Sequence, residues 1–147
     1  MIRAALLSLA LLCPAGAFAQ FAPAPAPAPL PVMDCAALAG SPMVEATLYF
    51  GRNVGDAVGV SEKDWTQFLD REITPRFPDG LTIHDALGHW RDSGTGRLIR
   101  EPSKILTLLT PQDAASLTLI REIVDLYKEQ FHQQSVGTVL RPACVGF

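Results

Sequence analysis

The chain has no basic excess. Its 147 residues carry 12 Lys and Arg against 15 Asp and Glu, a formal net charge of −3. That leaves no electrostatic footprint for nucleic acid or for an anionic membrane surface. Histidine is scarce, with only three residues. His84 and His89 lie five apart in an expected strand, on opposite faces. Without a bulge they do not share a metal, and His132 follows a helix. Neither a metal nor a cofactor is expected. Catalytic signatures are missing too. There is no G-x-S-x-G elbow, and the glycines around Gly94 form a hairpin tip rather than a phosphate loop leading into a helix. Ser103 and Lys104 are strand neighbours, which point apart and make no dyad.

Cysteine is also rare, three in all. Cys13 falls in "MIRAALLSLALLCPAGAFAQ", which has a single charge at Arg3, an apolar core over residues 4–12 and an Ala-Phe-Ala ending. This reads as a cleavable signal over residues 1–19 and places the protein in the periplasm or outside the cell. Its apolar core is short for a membrane span, and no later segment is long and apolar enough, so no span is expected after cleavage. A lipoprotein signal is the alternative at Cys13, but Leu12 stands where such signals want a small residue. Cys35 and Cys144 remain, one near each end of the folded part. In an oxidising compartment an even pair points to a disulfide over two buried thiols. Closing so long a loop is worth up to about 4–5 kcal/mol in chain-entropy terms.

Proline is concentrated rather than scarce. "FAPAPAPAPLP", residues 21–31, lacks the donors for helix or sheet and favours extended polyproline II. Residues 20–33 are therefore a semi-rigid spacer. Residues 34–147 are enough for one core.

Elements are legible in that stretch. "VEATLYFG" alternates, with Ala46, Leu48 and Phe50 on one side and Glu45, Thr47 and Tyr49 on the other. Ser61 and Asp64 form a capping-box variant, with Val60 placed to staple onto Trp65. The helix then carries Trp65, Phe68, Leu69 and Ile73 on one stripe and ends at "TPRFPDG". "LTIHDALGHW" and the strand ending in "ILTLL" make a hairpin over Ser93 to Gly96. Thr110 is expected to cap a second helix with Pro111 first and Asp113 third. Leu117, Ile120, Val124, Tyr127 and Phe131 form its buried stripe. "SVGTVLRPACVGF" reads as a last strand. The order β-α-β-β-α-β is the ferredoxin-like α+β pattern, a four-stranded antiparallel sheet with two helices on one face. The other face is open and must be polar, covered or used.

"TLYFGR", "W-x-x-F-L", "ITPRFPDGLT", "REPSKIL" and "PACVGF" in this order resemble the domain of unknown function 3574 family, small exported bacterial proteins. The resemblance spans roughly residues 35–147. It implies export and carries over no reaction, ligand or site residue.

Parity gathers Tyr49, His84, Trp90, Glu101 and Ser103 on the open face, if Pro102 introduces no bulge. Aromatic walls with a few polar groups suit a small-ligand pocket. Glu101 is either a base held in such walls or a scaffold carboxylate paired with Arg76, Arg91, Arg100 or Lys104. The second is favoured, with "REPSK" pinning the hairpin to the exit turn of the first helix. Arg76 is by default a clamp on turn carbonyls and otherwise an orienting group. The reading is a non-catalytic module that binds a protein or small molecule, or a second copy of itself, through the open face. The alternative is a small cofactor-independent enzyme, its acid–base group Glu101 or His84, with Tyr49 and Arg76 orienting a substrate.

Overall fold

In the computed structural model, residues 35–147 are described; the signal and spacer expected before them lie outside the described residues. Strand β1 runs Ser41–Gly51, and a small hairpin follows as β2 (Asn53–Val54) and β3 (Ala57–Val58). Helix α1 spans Glu62–Phe68 and continues into a wider π-helical turn, Leu69–Ile73. Then come β4 (Leu81–Arg91), β5 (Leu98–Thr110), α2 (Ala114–Phe131) and β6 (Gly137–Val145). The main sheet has the order β4-β5-β1-β6, and all three pairings are antiparallel. This is the ferredoxin-like arrangement with β1 and β5 central.

Alternation along β1 assigns the faces. Val44, Ala46, Leu48 and Phe50 are buried in the core, joined by Leu106 and Leu108 of β5. Helix α1 and its extension contribute Trp65, Phe68 and Ile73, and α2 contributes Ile120, Ile123 and Tyr127. Phe50 is the hub. Its ring centroid lies 4.8 Å from that of Tyr127 and 5.2 Å from that of Trp65. Such tilted contacts add to the apolar burial. Burial also pushes the Tyr127 phenol above its ordinary pKa. Its hydroxyl donates to the Gly51 carbonyl at 2.8 Å and so ties α2 to the end of β1.

The capping box at α1 is present. Ser61 Oγ accepts from the Asp64 amide at 3.2 Å, and Asp64 accepts from the Ser61 amide at 3.1 Å. The Ser61 hydroxyl also donates to the Asp64 carboxylate, and this bond first, then the one from the Ser61 amide, holds the Asp64 carboxyl below its usual pKa. The start of α2 differs from expectation. Thr110 ends β5, and Asp113 is the N-cap, accepting from the Ser116 amide at 2.7 Å. With the helix beginning at Ala114, the buried stripe is Ser116, Ile120, Ile123 and Tyr127, and Leu117 is exposed. Pro102 introduces no bulge in the β4–β5 register, where Leu87 faces Pro102 and Gly88 faces Glu101. The Pro102 carbonyl accepts from the Arg52 amide at 3.1 Å. A strand residue turns its nitrogen and its carbonyl to the same side, so the proline's missing N–H falls beyond the end of β1, off the β4 ladder.

A bond joins Cys35, in a one-turn helix at Cys35–Leu38, to Cys144 in β6, 109 residues later. It suits an oxidising compartment.

Candidate functional site

The open face is built row by row across the sheet. Tyr49 lies opposite Ile105 and Gly137, and Gly51 lies opposite Ser103. On β4, Ala86 faces Ser103 and Gly88 faces Glu101. Small residues therefore surround Glu101 and Ser103 and leave a hollow in the sheet surface. Loops raise its walls: the β2–β3 hairpin, the β4–β5 tip and the stretch after α2. The result is a cavity of about 620 Å³ over the hairpin end of the open face.

Glu101 reaches the floor of this cavity and is only 7 % exposed. One carboxylate oxygen accepts from the Trp90 indole N–H at 2.6 Å, and the other accepts from the Asn53 backbone amide at 3.0 Å. The strand glycines explain the fit. A Cβ on Gly51 would stand 2.6 Å from Glu101 Oε1, and one on Gly88 would stand 2.6 Å from Ser103 Oγ. A glycine inside a strand marks just such a close approach. Ser103 donates a long bond, 3.4 Å, to the Glu101 carbonyl. Asn53 lines the cavity, and its Oδ1 is buried with no hydrogen-bond partner among the described residues.

Of the residues singled out in the sequence, Tyr49, Trp90, Glu101 and Ser103 line one cavity. His84 shares their face, opposite Ile105, but stands outside the lining. Arg76 belongs to the helix layer. It donates to the Glu72 carbonyl at 2.7 Å and pairs with the carboxylates of Glu72 and Glu122.

The expected ion pairs of Glu101 do not form. Arg91 donates to the Gly96 carbonyl at 2.6 Å, Arg100 is exposed, and Lys104 faces the opposite side of β5. Lys104 pairs with Glu62 in the first turn of α1, at 2.8 Å, and with Asp85 of β4. "REPSK" is thus pinned to the entry of α1 rather than to its exit turn. Arg52 also pairs with Glu62, and its Nε donates to the Val60 carbonyl at 2.9 Å. Burial opposes the Lys104 charge, but the hydrogen bonds that it donates to Asp85 and Glu62 outweigh it and raise its pKa. In return, the Lys104 hydrogen bond holds both carboxyls below their usual range.

Loop residues complete the rim. His132 caps the C-terminus of α2 in the left-handed region, φ 53°. Gln133 donates to the Asn53 carbonyl at 2.9 Å, which draws this loop toward β2. Arg97 and Asp56 pair across two hairpin tips at 3.0 Å. Among the described residues no group of three His, Cys, Asp or Glu side chains is placed to hold a metal ion.

The profile of the family described as "Protein of unknown function (DUF3574)" matches residues 45–147. The chain belongs to this family. No curated protein matches this DUF3574 chain in sequence. Among solved structures it is similar to a phage SAM lyase in complex with S-methyl-5′-thioadenosine. The TM-score is 0.56 at 16% identity, over 70% of this chain and 90% of the lyase. The apo lyase gives 0.52 at 17% identity, over 72% and 92%. At such identity the likeness is one of fold.

Proposed function

We propose that the protein is an exported binding module that takes a small molecule into the cavity on its open sheet face. The observation that carries the reading is Glu101, a buried carboxylate inside a cavity of about 620 Å³ whose hydrogen-bond partners are an indole and a backbone amide. Small-molecule sites have this size, about 300–1,000 Å³, with mostly apolar walls and a few fixed polar groups. Trp90 and Tyr49 supply aromatic wall, and Glu101, Ser103 and Asn53 supply polar groups. Export rests on the signal over residues 1–19, with residues 20–33 as spacer, and agrees with the Cys35–Cys144 bond. The same face is where a second copy would dock, and such a copy would roof the cavity.

The enzyme reading would make Glu101 an acid–base group. Its proton would pass to or from the bound molecule itself. Among the described residues no second titratable group is hydrogen-bonded to the carboxylate to relay that proton onward, so binding is the simpler use of it.

Native mass spectrometry of the protein secreted by its own cells reads cleavage, disulfide, subunit number and any retained ligand together. A retained small molecule that disappears in Glu101→Gln supports the reading. S-methyl-5′-thioadenosine, the ligand of the phage lyase, is one compound to add back. A protein that carries nothing, and whose Trp90 indole resonance no added compound moves, overturns it.

A further inference from the structure

Among the described residues no cation is paired with the Glu101 carboxylate. Each carboxylate oxygen accepts one hydrogen bond from a neutral donor. A carboxylate offers about four acceptor sites, so it retains unused lone pairs. Burying it without a cation is costly unless something offsets the charge. The fold does not lack cations. Lys104 lies three residues away in the same strand and spends its charge on Glu62 and Asp85. Arg52, one residue before Asn53, spends its own on Glu62.

Beside the two histidines His89 and His132, the charged groups of the lining are acidic in balance. Asp56 and Asp92 join Glu101, against the single guanidinium of Arg97, and that group pairs with Asp56. Asp92 turns its carboxylate to the Gly94 and Thr95 amides of its own loop. Tyr49, 45 % exposed, adds aromatic surface to the same cavity. A buried carboxylate beside open aromatic surface is the chemistry that holds an organic cation.

We infer that the ligand of this cavity is a small organic cation, an amine, guanidine or quaternary ammonium, with its charge seated against Glu101. This rests on the cavity reading above and adds the sign of the charge. Glycines at 51 and 88 fix the height of the carboxylate, because a methyl group at either position would collide with Glu101 or Ser103.

Three probes of one shape separate charge from shape: benzylamine, benzyl alcohol and benzoate. Titration of the whole protein is followed by calorimetry and by the Trp90 indole N–H resonance, whose proton is donated to Glu101. Benzylammonium is expected to shift that resonance and to bind at least about 10-fold tighter than the alcohol, with benzoate weakest. Glu101→Gln is expected to abolish the preference. Arg97→Ala alters only the exposed rim and frees Asp56. It is expected to tighten benzylammonium by about 2- to 5-fold at low salt, and it serves where the glutamine variant does not fold. Alcohol or benzoate binding as well as the amine overturns the cation inference and leaves the cavity reading intact. So does a preference that survives Glu101→Gln, or an Arg97→Ala variant that binds the amine no better. A Trp90 resonance unmoved by all three probes overturns both.

Discussion

Glu101 and Lys104 stand three residues apart in β5, both buried, at 7 % and 5 % exposure, and on opposite faces of the sheet. On the helix side Lys104 meets two carboxylates, so its charge is answered within the fold. On the open side the Glu101 carboxylate accepts from an indole and an amide, and among the described residues no cation pairs with it. One strand thus carries a finished polar contact on one face and an unfinished one on the other. Burial alone does not separate scaffold from site; the partners do.

The largest expected effect tests the two faces directly. Phe50→Ala opens a cavity in the aromatic core and should cost about 3–5 kcal/mol in chemical denaturation. Tyr49→Ala, the next residue on the opposite face, should cost below about 1 kcal/mol. Equal losses would break the division into a closed face and an open one.

Trp90→Phe removes one of the two donors to Glu101 while keeping an aromatic ring. A loss of about 1–3 kcal/mol is expected, since a buried acceptor is left short of a partner. Gly51→Ala sharpens the same point from the other side of the carboxylate. The new methyl must displace Glu101 or the backbone, at about 1–3 kcal/mol. The Trp90 indole resonance should move with it. An unmoved resonance would mean that the carboxylate had not shifted.

The smallest effect concerns Lys104. Its hydrogen bonds hold the Glu62 and Asp85 carboxyls below their ordinary values of 4.5 and 3.8. A carboxyl with a lowered folded-state pKa adds stability above its ordinary value and loses it as pH falls through the folded one. Stability should therefore drop as the solution is acidified below about pH 4. Lys104→Met should flatten part of that drop in a urea-midpoint titration. A residual slope should remain, because the Asp64 and Asp113 caps titrate in the same sense. An unchanged slope would show that the Lys104 contacts are not formed in solution.

Period-two alternation made the open face readable. It separated Ala46, Leu48 and Phe50 from Thr47 and Tyr49, and it placed Trp90, Glu101 and Ser103 on one side. What parity does not carry is distance along the face, so His84 was grouped with a cavity it does not line. The β2–β3 hairpin has two residues per strand, too few to show a period. At α2 two capping residues compete, and Asp113 prevails over Thr110 because β5 runs on through Thr110 in register with Val44. Charge pairing in the sequence points to a cation for Glu101, whereas its donors are an indole and a main-chain amide. One signal was in plain sight: Gly51 and Gly88 interrupt two strands where a side chain would collide with this site. The loop residues His132 and Gln133 gave none, because tertiary contact alone brings them to the rim.

The Cys35–Cys144 bond also defines how the domain carries mechanical load. It links the first described residue to one near the last, at a sequence separation of 109. A pull applied between the two ends of the described fold crosses from Cys35 to Cys144 through the covalent bond. The sheet, both helices and the Glu101 cavity lie inside the loop and feel almost none of that tension. Reduction would reroute the force through the hydrogen bonds between β1 and β6, where Ser41 faces Val145, and the edge strand would be the first to peel.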